Sequence, residues 1–218
     1  MRFSVRAWAD GSAASGEGAK PLPAMLRRRA TGLGRRALAA ASALPDLDQA
    51  RYVFSSRHGE FSRTLAILKT LAADEPVSPA DFSMSVHHAL AALLSIANGN
   101  HGGHVAVAAG EESFCFALIE AAAGLAEAPE EPVLLLHYDD PLPGEYAAFE
   151  SGAGPSVLAL LLSAETGAGV SFAVSAKRRA EADAVPAAQA FAAFLGSKAA
   201  AAEYEGETRR WRFAREGG

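Results

Sequence analysis

The sequence predicts an α/β fold, a mostly parallel mixed sheet with helices on its faces. Two observations carry this. Strand-like and helix-like segments alternate as βαβαβαββ along the first three quarters of the chain. Three strand–helix–strand crossovers of that kind require parallel strands and cover the faces of the sheet. The second observation is the stretch from His101 to Leu125, where a glycine turn, a short strand, a sharp elbow and a helix follow without a break.

Each element has its own signal. Arg2 to Trp8 alternates Phe3, Val5 and Ala7 with polar residues, as a half-buried strand does. Asp10 to Lys20 is rich in Gly, Ser and Ala and reads as a weakly ordered loop. Pro21 and Pro23 introduce a helix over Ala24 to Leu44, which Pro45 ends. Arg51 to Ser56 is a second strand, and Phe61 to Ala73 a helix with Phe61, Leu65, Leu68 and Leu71 on one side. Pro76 to Pro79 is a loop. Ser85 to Ala97 shows an apolar stripe of Val86, Leu90, Leu93, Leu94 and Ala97, stopped by Asn98-Gly99-Asn100. Val105 to Ala109 is a third strand, and Phe114, Leu118, Ala121 and Leu125 mark the next helix. Pro132 to His137 and Val157 to Ser163 are the fourth and fifth strands, with a glycine turn at Ser151 to Pro155 before the fifth. Val170 to Ser175 is a sixth strand, Val185 to Ser197 a helix, and Thr208 to Phe213 a closing strand.

Composition bounds the possibilities. At 218 residues the chain is one expected domain, able to bury roughly 70% of its unfolded surface. The net charge of −5 argues against a general nucleic-acid binder. A single cysteine, Cys115, excludes an internal disulfide and fits a reducing compartment. The opening residues lack the apolar core of a signal peptide, and no apolar run is long enough to span a bilayer. A cytoplasmic protein without membrane or nucleic-acid partners is expected.

The elbow at Gly110-Glu111-Glu112 attracts a functional reading. A strand that turns directly into a helix holds one side chain beside the helix N-terminus, where backbone N–H groups favour an anion. Nucleophiles use such places. Here the residue is Glu111, whose ionised carboxylate makes a poor general acid, and the plainer reading is acidic capping by Glu111 and Glu112. Cys115 lies a helical turn further on and reads as a small buried filler.

At these residues the chain resembles the β-ketoacyl synthases, and more narrowly the short chain length factors that accompany ketosynthases in bacterial aryl polyene and xanthomonadin clusters. The marks are LPAMLRRR, SSRHGEF, FSMSVHHAL and AGEESF, with FESGAGPSVLALLLS at the end of the match, together covering roughly residues 1 to 165. The resemblance implies the N-terminal half of a thiolase-like fold with strand order 3-2-1-4-5, residues 166–218 forming a divergent C-terminal extension. An ungapped match places Glu111 where a synthase has its cysteine. The histidine motifs of a synthase's other half do not occur, so no catalytic residue and no cofactor are expected. Longer chain length factors carry glutamine at this place, so glutamate is a departure.

The resemblance also implies roles for other residues. Phe82, Ser83, Met84 and Ser85 fall where ketosynthases reach across the dimer axis towards the partner's acyl tunnel, with Ser83 and Ser85 able to cap the helix that follows. Val105, Ala106, Val107, Ala108 and Ala109 form the strand expected at a sheet edge, pairing with a ketosynthase. Arg27, Arg28 and Arg29 offer a basic face to an acidic acyl carrier protein or to the partner, against a plain reading as a solvated helix face. His58 and Glu60 flank a glycine at the end of the second strand, where open sheets place functional groups. His87-His88 and His101-His104 lack acidic companions at ligand spacing, so no metal site is expected. Two function classes remain. One is a non-catalytic subunit that pairs with a ketosynthase and shapes its tunnel in polyene, polyketide or fatty-acid-type biosynthesis. The other is a stand-alone thioesterase or acyltransferase with a rebuilt site of His58, Glu60 and Glu111.

Overall fold

A computed structural model describes residues 1–11, 22–149, 154–165, 167–177 and 185–216. The loop expected over Asp10 to Lys20 therefore lies outside the described residues from 12 onward, as do residues 151–153 of the glycine turn.

In chain order the elements are β1 (Arg2–Asp10), α1 (Ala24–Arg27), α2 (Gly32–Ser42), β2 (Arg51–Ser55), α3 (Phe61–Ala72), α4 (Pro79–Ser83), α5 (Ala89–Asn98), β3 (His104–Val107) and α6 (Ser113–Glu127). Then come β4 (Val133–Asp139), a 3-10 turn (Gly144–Phe149), β5 (Ser156–Ser163), β6 (Ala168–Ala176), α7 (Ala187–Gly196), β7 (Ala201–Glu205) and β8 (Arg209–Arg215). The eight strands form one sheet in the order β3-β2-β4-β5-β1-β6-β8-β7. β3, β2 and β4 are parallel, β5 runs against β4 and β1, and β6, β8 and β7 continue antiparallel.

The mixed sheet with helices on its faces is the expected one, but the strand order differs from 3-2-1-4-5. β1 lies outside β5, held by an antiparallel ladder from Ser4↔Ser163 to Asp10↔Leu158. The reason lies in the crossover. α2 packs across both β4 and β5, so the connection from β1 to β2 passes over two strands, and apolar periodicity does not encode how many strands a crossover skips.

Strand alternation separates two cores. Val133 and Leu135 of β4 face α6 and α7, with Phe114, Leu118, Phe191 and Trp211. Leu134, Leu136 and Tyr138 face α2 and α5, with Leu38, Leu90 and Leu94. β4 reads as a continuous apolar run because both of its faces are covered.

Local boundaries also moved. The helix expected over Ala24 to Leu44 is broken at Arg28–Thr31, because the Thr31 hydroxyl accepts from Gly34 N (3.2 Å) and starts α2 afresh. The helix expected over Ser85 to Ala97 begins at Ala89 instead. Ser83 and Ser85 do not cap it, since their hydroxyls donate back to Pro79 O and Phe82 O (2.8 Å each). The third strand ends at Val107, so Ala108 and Ala109 belong to the elbow. There Gly110 takes a left-handed conformation (φ 60°), and Ala109 bridges Glu111 across it. Ala201–Glu205 forms a strand where the sequence predicts no element.

Candidate functional site

The carboxyl ends of β2, β3 and β4 point the same way, and the chain turns after each. These turns and the start of β5 enclose a cavity of about 40 Å³ lined by Arg57, His58, Glu111, His137, Asp139 and Ser156, among others. Asp139 organises it. Its carboxylate accepts from Ser56 Oγ (2.8 Å), from Arg57 N (3.0 Å) and from His58 N (3.3 Å), tying the turn after β2 to the end of β4. Ser56 Oγ in turn accepts from Gly59 N (2.6 Å). Glu111 enters from the elbow and forms an ion pair with the Arg57 guanidinium. Ser113 closes the elbow behind it, accepting from Ala109 N (2.9 Å) and donating to Gly110 O (2.6 Å).

His137 is buried beneath this cavity. Its Nδ1 lies 3.0 Å from Ser55 Oγ and its Nε2 3.5 Å from Asp139. Burial holds its pKa below the ordinary histidine value, against the pull of Asp139. A histidine kept neutral in the fold destabilises that fold once the unfolded chain takes up protons. Stability should therefore be level above about pH 6.5 and fall as pH drops through that value. Urea unfolding at pH 7.5, 6.5 and 5.5 should show this decline, and His137→Gln should reduce it, leaving the part due to His104, whose pKa burial also lowers.

Serine, histidine and aspartate stand here in the order of a nucleophilic relay. Ser55, however, is 1% exposed within its strand and does not line the cavity. Cys115 is fully buried, and burial followed by the charge of Glu112 pushes its thiol far above the ordinary value. The cavity has room for a few water molecules and not for an acyl chain.

Of the residues named from the sequence, the fold brings His58 and Glu111 together at this cavity. Glu60 is directed elsewhere. It is 2% exposed and accepts from the Thr31 hydroxyl and from Thr31 N (3.3 Å), at the start of α2. Glu112, named in the sequence only as a cap, is also buried and points away from the cavity. Its Oε1 accepts from Thr208 N (2.9 Å), Arg209 N (3.1 Å) and Thr208 Oγ1 (3.2 Å) in the turn between β7 and β8. A Cβ at Gly206 would stand 2.5 Å from that oxygen, so a larger residue there would displace the Glu112 carboxylate. Glu112, the N-cap residue of α6, makes no capping hydrogen bond with its side chain.

The remaining named residues lie on the surface. Phe82 is 63% exposed on α4, whereas Met84 is half-buried against the α2–α5 core. Arg27, Arg28 and Arg29 are exposed, and among the described residues none of them forms an ion pair. Arg36, by contrast, pairs with Asp140. β3 is one edge of the sheet and β7 the other. Among the described residues no helix is long and apolar enough to cross a membrane.

The mixed sheet with helices on its faces, the parallel trio and the strand-to-helix elbow make a thiolase-like fold, and the elbow carries the carboxylate of Glu111. The chain belongs to the β-ketoacyl synthase N-terminal domain family, whose sequence profile matches residues 5–214. Among solved structures it is similar to a chain of the complex between the ketosynthase ApeO and its chain length factor ApeC from Xenorhabdus doucetiae. That likeness has a TM-score of 0.85 at 25% identity, covering 99% of this chain and 100% of that one. A β-ketoacyl synthase from Burkholderia phymatum STM815 matches with a TM-score of 0.58 at 15% identity, over 78% of this chain and 52% of the synthase. The ishigamide ketosynthase/chain length factor matches with 0.54 at 14%, over 81% and 64%. The last two likenesses are of fold. No curated protein matches the chain.

Proposed function

We propose that this protein is a chain length factor-like subunit. It pairs with a ketosynthase, bounds the acyl tunnel of that partner and carries out no condensation of its own. The observation that carries this reading is Glu111 at the elbow, its carboxylate neutralised by Arg57 above a cavity of about 40 Å³. A condensing enzyme needs a thiolate there and space for an acyl chain. The full-length likeness to a chain of a ketosynthase–chain length factor complex supports the same reading. A stand-alone acyl-thioester enzyme built on His58, Glu60 and Glu111 is disfavoured, because Glu60 is committed to Thr31.

The two sheet edges support a partner at β3. β7 carries Glu203 and Glu205, charges that discourage further pairing. β3 reads His-Val-Ala-Val and has no such defence. A ketosynthase strand added there would continue the sheet. Arg27, Arg28 and Arg29 suit an acidic carrier protein delivering substrate to the pair. The pathway class would be aryl polyene, polyketide or fatty-acid-type synthesis, with no cofactor in this subunit.

The test is Glu111→Ala in the reconstituted pair. Product should still form, in unchanged kind, since the chemistry belongs to the partner. Loss of all product from an assembled complex would give Glu111 a part in the reaction and overturn the reading.

Phe82 and Met84 are the proposed chain-length determinants. An apolar ring left 63% exposed is available to a partner's tunnel end. Phe82→Ala should shift the product to longer acyl chains with little change in stability. Met84→Ala should shift it less and lower the melting temperature slightly, because Met84 also packs inward. Mass spectrometry of the products checks both, and an unchanged length distribution removes these residues from the tunnel.

A further inference from the structure

The sequence holds two histidine pairs, His87-His88 and His101-His104. Neither pair is a site by itself. The fold takes one histidine from each and joins them. His104 opens β3 opposite Tyr52 of β2, and His88 is the residue on which α5 starts. Their ring centroids lie 5.0 Å apart with the planes inclined at 56°. His88 is exposed and His104 half-buried. Among the described residues neither ring has a carboxylate or other hydrogen-bonding partner. Two imidazoles in contact with nothing acidic between them gain little from each other. They gain much more from an ion that both can bind.

We propose that His88 and His104 form a two-histidine site for a divalent transition-metal ion of the zinc class at the exposed edge of the sheet. The ring separation suits such an ion. With the metal about 2.1 Å from each ligating nitrogen and a tetrahedral angle between them, two imidazole centres stand about 5.2 Å apart. The observed centroid separation, 5.0 Å, is close to this. Imidazole nitrogen is a good ligand for zinc, nickel and copper ions and a poor one for magnesium or calcium. Among the described residues no third histidine, cysteine or carboxylate completes the set. The remaining positions are left to water, or to a group brought by a molecule that pairs at β3. The site does not depend on the function proposed above, since it uses only this chain.

The test is titration of the full-length protein with zinc chloride by calorimetry, in a non-coordinating buffer at pH 7.5. The wild type should take up one ion per chain. His88→Ala and His104→Ala should each weaken binding by at least about tenfold, the loss expected when part of a metal site is removed. His101→Ala, an exposed histidine in the turn before β3, is the control and should bind as the wild type does. Circular dichroism on each variant keeps loss of folding apart from loss of a ligand. Wild type that shows no saturable binding, or binds no tighter than the His88→Ala and His104→Ala variants, overturns the site. So does weakening by His101→Ala alone.

Discussion

Replacing Glu112 with alanine is expected to destabilise the protein by about 3 kcal/mol, the largest effect of any single substitution at the elbow. Glu112 is a buried carboxylate, 3% exposed; it accepts from two backbone N–H groups and a hydroxyl 96 and 97 residues later in the chain, and its other oxygen lies 3.5 Å from the Arg209 guanidinium. Hydrogen bonds to a charged group contribute about 1.5 to 3 kcal/mol each, and removing the acceptor leaves both N–H groups without a partner. In a domain of this size a loss of about 3 kcal/mol lowers the melting temperature by about 6 to 12 °C. Glu112→Gln keeps one acceptor oxygen and should lose about half as much. Thermal unfolding followed by circular dichroism measures both. Equal melting temperatures for the wild type and Glu112→Ala would mean that the β7–β8 turn holds its place without this clamp.

The second large effect is expected at the β3 edge. The carbonyls of Gly103 and Val107 accept from Tyr52 N of β2 and from Ser56 N just beyond it (3.5 and 3.2 Å). In a parallel ladder inward and outward groups alternate, so the N–H and C=O of His104 and Ala106 turn outward. An added strand would bind to those groups. Ala106→Pro removes one outward donor while leaving the bonds to β2 in place, and proline is tolerated on an edge strand. Affinity for the ketosynthase should fall more than about tenfold, since one hydrogen bond and the fit of the neighbouring ones are lost together. Val107→Lys should also weaken pairing, but Val107 packs against the α6 side of the core, so part of its effect would be on stability. Unchanged partner affinity with Ala106→Pro would place the interface elsewhere.

Much of the fold was legible because periodicity reports local burial. β4 and β5 stood out as apolar runs buried on both faces, and the change of period at Gly110 marked the elbow. Strand order was not legible, because it depends on how far α2 reaches across β4 and β5. β7 was hidden because Ala201 and Ala202 belong to an alanine-rich stretch without strand-like alternation, whereas pairing of Tyr204 with Trp211 makes the segment a strand. The motifs that carried the resemblance ended near residue 165, while the family match runs on to 214.

The site was half legible. Glu111 and His58 could be named from their places at strand ends, and they meet at one cavity. Glu112 and Glu60 could not be told from ordinary acidic residues. Their partners, Thr208 and Thr31, are distant in sequence, and no local pattern announces a buried carboxylate. Asp139 escaped for the same reason, since its three donors come from the turn after β2. The pairing of His88 with His104 follows from α5 starting beside β3 and has no local signature.

The central claim is that this chain works only as one half of a pair. The direct measurement is acyl-thioester turnover and co-elution with the partner ketosynthase: each protein alone, then both together, on size exclusion and with malonyl and acyl carrier protein substrates. The account predicts that this chain alone turns over nothing, that the two co-elute, and that product of defined length appears only from the pair. Turnover of an acyl thioester by this chain alone, or elution of the two apart with product formed by the ketosynthase by itself, would contradict it.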